Sequence, residues 1–412
     1  MGVAGPLPPR CLVRFTPDPW ICPRPGRLFL LFDKNDRADA GAPVCPRKRK
    51  PIALRCLAIR QSGVSAALSI TIWVLNYPPI VTMNQIDFSS SAHAHAAANA
   101  PACSHSSHQA DGIYLISPSG FVADPGTLAQ ARDRLQTHGF KVETDGSALA
   151  RFERFAGTDE QRVAAIQRAI RQPLPIVMAT RGGYGLSRIL PYIDWDAVAA
   201  SGKRFVGHSD FTAFNLALLA KTGAVSYSGP SALHDFGTHN PDELTADLFV
   251  EVMRGELQVL SFEAPDADAV DARGVLWGGN LALVASLVGT PYMPDVQGGV
   301  LFLEDIAEHP YRVERMLTQL WHAGILERQS AIVLGHFTEY QLGSQDNGFD
   351  LPAVVRWLRA TVRVPVVTGL PYGHVPTKAT LPVGRKVGIA TEEGMAYLLL
   401  DEHDHQHAHP HS

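Results

Sequence analysis

The sequence predicts an α/β protein: an N-terminal α/β domain on a mostly parallel sheet, followed by a C-terminal β-rich α/β domain. Three observations predict it. From Gly112 onward, apolar runs and helix-like stretches alternate at intervals typical of βα units. The runs are strongly apolar, as strands of a parallel sheet covered on both faces require. Near residues 230–275 the chain turns more polar, and beyond it the texture changes and ends in a β-rich unit.

GIYLISPSG (Gly112–Gly120) is an apolar run closed by turn residues and reads as a buried strand. DPGTLAQARDRLQTHG sets Leu128, Ala131 and Leu135 at helical spacing and stops at Gly139. KVETD is a short strand, and DEQRVAAIQRAIRQ is a helix with Val163, Ile166 and Ile170 on one face. LPIVMAT is a strand feeding the loop RGGYG (Arg181–Gly185). GLSRILPYI (helix), KRFVGHSD (strand), FTAFNLALLAKTG (helix) and VSYSG (strand) complete a domain over 112–230.

Residues 231–275 read as the crossover to a second domain over 276–400. There WGGNLALVASLVGTP reads as a buried helix after a Gly-rich turn, and GGVLFLEDI as a strand ending on acidic residues. YRVERMLTQLWHAGIL is amphipathic, with Val313, Met316, Leu317, Leu320, Trp321 and Gly324 along one stripe. The strands SAIVLGHF and VPVVTGLP flank the helix LPAVVRWLRATV, and LPVGRKVGIAT with MAYLLL forms the β-rich end. No repeat of 20–50 residues is present.

The 412 residues suffice for two ordinary domains, and a net charge of −4 points to no nucleic acid and no strongly acidic partner. That average hides a division. Residues 1–82 carry 12 Lys+Arg against 4 Asp, with 12 of the 30 prolines. They show no sustained period, so 1–111 is expected to be a disordered basic leader, with Met83 as the expected natural start. The apolar stretch Val64–Leu75 is twelve residues, short of the roughly 20 a bilayer needs, so no membrane association is expected. All five cysteines lie at or before Cys103, which excludes a disulfide framework or cysteine metal site from the body of the chain. No convincing secretion signal is present, which makes the cytoplasm the expected location. The tail 401–412, with five histidines, is expected to be disordered.

The chemistry centres on VGHSDFTAF, where Ser209 stands at a predicted strand-to-helix turn. Ligands of open α/β sheets collect at the carboxyl ends of strands, and a helix start favours developing negative charge. Ser209 is therefore a nucleophile, with the Asp210 amide as oxyanion donor, or it is an N-cap. The string is not G-x-S-x-G, because Phe211 replaces the second glycine. Glu304 and Asp305 end one strand, and His208, His309, His336 and His374 lie near other strand ends; spacing does not choose among them. In RGGYG, Gly182 and Gly183 either expose amides to an anion, with Arg181 beside them, or make a tight turn. The dinucleotide and P-loop patterns are absent, and no H-E-x-x-H, C-x-x-C or EF-hand string occurs, so no metal is expected.

Taken together, RFAGTDEQR, RGGYGLSRILPYIDW, GHSDFTA, LWGGNLALVASLVGTPYMP, LEDIAEHPYRVERMLTQLWHAGIL and TGLPYGH resemble the LD-carboxypeptidases that act on muropeptides, from about Gly112 to about Leu400. The resemblance implies serine peptidases with a Ser–Glu–His triad, carried here by Ser209, Glu304 and His374, assembled across the domain interface. It further implies an oxyanion hole near Gly182, Gly183 and Asp210, a muropeptide substrate trimmed in cytoplasmic murein recycling, a homodimer and no cofactor. Two other readings are a peptidyl-nucleotide antibiotic immunity peptidase of the same superfamily and a non-catalytic peptide- or sugar-binding protein.

Overall fold

The computed structural model describes residues 112–400 together with the strand Phe29–Leu31, and these form two sheets. The first runs, from one edge, Lys141–Thr144, Gly112–Ile116, Ile176–Ala179, Arg204–Gly207, Ser226–Ser228 and Leu381–Val383. Its first five strands are parallel and the last is antiparallel. Gly112–Ile116 and Ile176–Ala179 are buried along their whole length, which explains their unbroken apolar sequence.

The helices of this domain begin where the sequence supplies a cap. Asp124 accepts the Gly126 amide before Pro125–Thr137, whose buried face is Leu128, Ala131 and Leu135. Thr158 and Gln161 form a reciprocal capping box at Asp159–Ala169. After Gly112–Ile116 the chain steps outward to Lys141–Thr144, then back across to Ile176–Ala179. That reversal parts the loops following the two central strands and opens a crevice at their carboxyl ends. The loops are residues 117–120 and 181–185.

The second sheet is ordered Phe29–Leu31, Val259–Glu263, Met395–Leu399, Lys386–Glu392, Asp271–Asn280, Val300–Ile306, Ala331–Thr338 and Val366–Gly373. Its last four strands are parallel, and Pro310–His322 packs toward the core with Val313, Met316, Leu317 and Leu320 buried. The two sheets meet directly: the hydroxyls of Ser228 and Tyr372 lie 2.5 Å apart, both fully buried.

The α/β class agrees with the sequence reading; several boundaries differ. Residues 231–275 are more than a crossover, because they contain the helix Glu243–Arg254 and the strand Val259–Glu263 of the second sheet. The expected start at 276 cuts through the strand Asp271–Asn280, and Leu381–Val383 returns to the edge of the first sheet. The glycines of WGGN make close approaches inside that strand instead of a turn. A Cβ on Gly278 would lie 2.0 Å from the Phe302 carbonyl oxygen, and one on Gly279 would lie 2.4 Å from Thr212 Oγ1. Within 1–111, expected as a disordered leader, Phe29–Leu31 lies parallel to Val259–Glu263. The rest of that leader, the expected start at Met83 and the tail 401–412 lie outside the described residues. Among the described residues no helix is long and apolar enough to cross a membrane.

Candidate active site

The strand Arg204–Gly207 passes into a 3-10 turn, Ser209–Phe211, and then into the helix Thr212–Thr222. Ser209 has φ 61°, a left-handed conformation that costs an L-residue about 1–2 kcal/mol. Tight packing holds it there. A Cβ on Gly207 would fall 2.4 Å from Phe211 Cγ, and one on Gly182 would fall 2.9 Å from both the His208 carbonyl oxygen and Ser209 Cβ. The first glycine of RGGYG thus lets that loop lie flat on the elbow.

The two sequence readings of Ser209 separate here. Neither the 3-10 turn nor the helix after it has a side-chain cap, so the Ser209 hydroxyl does not serve as one. Asp210 binds elsewhere: its buried carboxylate accepts the Ser119 hydroxyl and, at 3.1 Å, the Leu186 amide. Burial raises the Asp210 pKa, against the lowering effect of those donors and of Arg162. This side chain ties both crevice loops to the elbow. The Asp210 amide, in the first turn, makes no backbone hydrogen bond among the described residues.

Facing the elbow is a pair from the second sheet. Glu304, fully buried on Val300–Ile306, places Oε2 2.8 Å from Nδ1 of His374, which follows Val366–Gly373. A register shift in Ala331–Thr338 between Leu334 and His336 accompanies this approach. Gly373, at φ 136°, makes it possible: a Cβ there would lie 2.8 Å from the His336 carbonyl oxygen. The Nδ1–H donated to the carboxylate leaves Nε2 with its lone pair. The His374 ring lies edge-on to His208, centroids 4.5 Å apart, which brings it against the residue preceding Ser209. Ser209 and His374 are not hydrogen-bonded to each other among the described residues; such contacts often tighten only when substrate binds.

Of the other candidate histidines, His309 caps Pro310–His322 and lies 3.2 Å from Asp346, while His336 is paired in register with Gly373. His208 is buried, and burial holds its pKa well below the usual value. Asp305 turns away from His374 to accept Asn280 Nδ2 at 2.8 Å and the Ala282 amide at 2.9 Å. Burial nevertheless pushes its pKa up to about 6.

Sequence reasoning missed several supporting residues. Asn280 donates to Glu304 Oε1 at 3.2 Å as well as to Asp305, and its own side-chain oxygen caps the next helix at Leu283. Lys378 and Asp235 form a buried ion pair, and Asp235 also accepts the Ser231 amide at 2.7 Å. The pair fastens the segment after His374 to the turn Ala232–Phe236, and no local pattern marks either residue. Lys378→Met is expected to lower folding stability by about 3–5 kcal/mol, because an unpaired buried carboxylate remains. Urea unfolding measures this, and a loss under about 1 kcal/mol would show that Asp235 finds other compensation.

Two family models match the chain: the LD-carboxypeptidase N-terminal domain over residues 113–229 and the LD-carboxypeptidase C-terminal domain over 273–389. A solved muramoyltetrapeptide carboxypeptidase from Oxalobacter formigenes is 46% identical, with TM-score 0.68, covering 71% of this chain and 99% of that one. A putative carboxypeptidase of Synechocystis is 33% identical over 69% of this chain and 93% of its own. The microcin C7 self-immunity protein MccF of Escherichia coli is 26% identical over 68% of this chain and 89% of its own. Fold and kinship together define a serine-type carboxypeptidase, a hydrolase of peptide bonds. The chain belongs to the LD-carboxypeptidase family.

Proposed function

We propose that this protein removes the terminal D-alanine from murein tetrapeptides, with Ser209 as nucleophile, His374 as general base and acid, and Glu304 as the group that orients His374. The observation that carries the proposal is the 2.8 Å contact between His374 and Glu304, set against a strained, uncapped serine elbow. Nε2 of His374 takes the Ser209 proton as Oγ attacks the carbonyl of the penultimate residue. The Asp210 amide, with the Gly182–Gly183 segment beside it, receives the oxyanion, the interaction that usually contributes most. His374 then passes its proton to the departing amine, releasing D-alanine. A water molecule, deprotonated by the same imidazole, hydrolyses the acyl-enzyme and returns the proton to Oγ.

A carboxypeptidase must also hold a free carboxylate. Arg181 leaves the crevice loop with a buried Nε that has no partner. Its guanidinium suits the substrate terminus, a role we assign to Arg181. The 46% identity to a muramoyltetrapeptide carboxypeptidase, against 26% to MccF, supports a muropeptide over a peptidyl nucleotide. The homodimer and the place in cytoplasmic recycling rest on family kinship alone.

Mass spectrometry of a purified tetrapeptide incubated with the protein is expected to show loss of one alanine, with aminoacyl-sulfamoyl adenylate left intact over the same time. Cleavage of the nucleoside alone would reverse the substrate assignment. Cleavage of neither would favour a binding protein.

A further inference from the structure

We propose that His208, Glu304 and His374 form a zinc site whose occupation switches the peptidase off. Each residue offers one ligand atom, and all three atoms lie within 4.8 Å of one another. With bonds of about 2.0–2.1 Å, tetrahedral zinc holds its ligand atoms roughly 3.3 Å apart, so side-chain shifts of about an ångström complete the site. Two imidazoles and a carboxylate, with a fourth position open, is a donor set zinc adopts readily.

The key residue is His208, which the peptidase mechanism does not use. It is 6% exposed, and its Nε2 has no hydrogen-bond partner. A buried, unsatisfied imidazole nitrogen at this position calls for an occupant. The ring packs against Tyr372 and edge-on to His374, with centroids 5.4 and 4.5 Å away, which fixes its orientation. Glu304 is held from its other side, where its second oxygen accepts Asn280 Nδ2 at 3.2 Å. Access exists too: the His374 side chain is 19% exposed and sits directly after Gly373.

Inhibition follows whichever nitrogen of His374 binds. At Nδ1 the metal takes the place of the proton shared with Glu304, which moves to Nε2, so the orienting bond is lost and Nε2 can no longer receive the Ser209 proton. At Nε2 the metal occupies the lone pair that Ser209 needs. Metal binding stands on geometry alone; the inhibition rests on the proposed role of His374.

The test uses the full chain, freed of metal by chelation, and His208→Phe, which keeps a ring but removes the ligand. Each protein is compared with its own zinc-free rate. Zinc is expected to inhibit the wild type reversibly, and His208→Phe should need at least tenfold more zinc for the same inhibition. The histidine-rich residues 401–412 are common to both chains and cancel in that ratio. Equal sensitivity of the two chains, or no inhibition of the wild type, overturns the switch. Cobalt(II) titration decides the binding claim if the variant fails to fold or no peptidase activity is found. The wild type should give the visible absorption of a four-coordinate site, displaced by zinc and lost in Glu304→Gln; its absence overturns the site itself.

Discussion

Ser209→Ala is expected to lower kcat by between several hundred-fold and about 10⁶-fold, since the groups of a triad act as a unit and losing the nucleophile leaves only residual catalysis. The distinctive part of the expectation is stability. If Ser209 were a helix cap, removing its hydroxyl would cost about 1 kcal/mol. The hydroxyl caps nothing, and the residue sits at φ 61°. Alanine should therefore leave stability nearly unchanged, and glycine, which is at ease with positive φ, should raise it while remaining as inactive. Measured kcat and urea midpoints for Ser209→Ala and Ser209→Gly test both halves. An alanine variant that turns over tetrapeptide normally ends the nucleophile assignment; one that keeps a low rate but unfolds more easily restores the capping role.

That pairing of strain with chemistry also marks how far the sequence could be read. Strands such as Ile176–Ala179 and helices such as Pro125–Thr137 were legible because local periodicity and caps suffice to define them. Ser209 stands out as a candidate through its strand-to-helix setting, yet its φ value is not legible there, because the loop at Gly182 packs against it from outside the string. Spacing left His374 equal to three other histidines; only family resemblance selected it, since its partner Glu304 lies 70 residues away. WGGN was misread for a related reason. Glycines that admit Phe302 and Thr212 from distant segments look locally like turn glycines. Asn280 was hidden inside that string, although it joins Glu304, Asp305 and a helix start through one side chain. Lys378 and Asp235 pair across 143 residues, a distance at which charge in sequence carries no signal.

Glu304→Gln is expected to reduce kcat by about 10⁴-fold while the protein stays folded, the scale seen when a triad acid is replaced by its amide. The reason lies in hydrogen-bond direction. Glu304 accepts on both sides, from His374 at Oε2 and from Asn280 Nδ2 at Oε1. Glutamine can accept on only one. Its oxygen facing Asn280 turns its NH₂ toward His374, so Nδ1 must accept and the proton moves to Nε2, the nitrogen that should receive the Ser209 proton. The opposite orientation restores the His374 contact but sets two NH₂ groups against each other in a fully buried position, at about 1–3 kcal/mol. Either way the catalytic tautomer is disfavoured, although volume and packing are preserved. Asn280→Asp gives the converse perturbation: it places a third carboxyl beside Glu304 and Asp305, whose pKa already stands at about 6. The decisive comparison is kcat of Glu304→Gln against that of Glu304→Asp, with folding followed by circular dichroism. A glutamine variant as active as the wild type would mean that His374 needs no buried anion, and the serine, histidine and glutamate would have to be separated again.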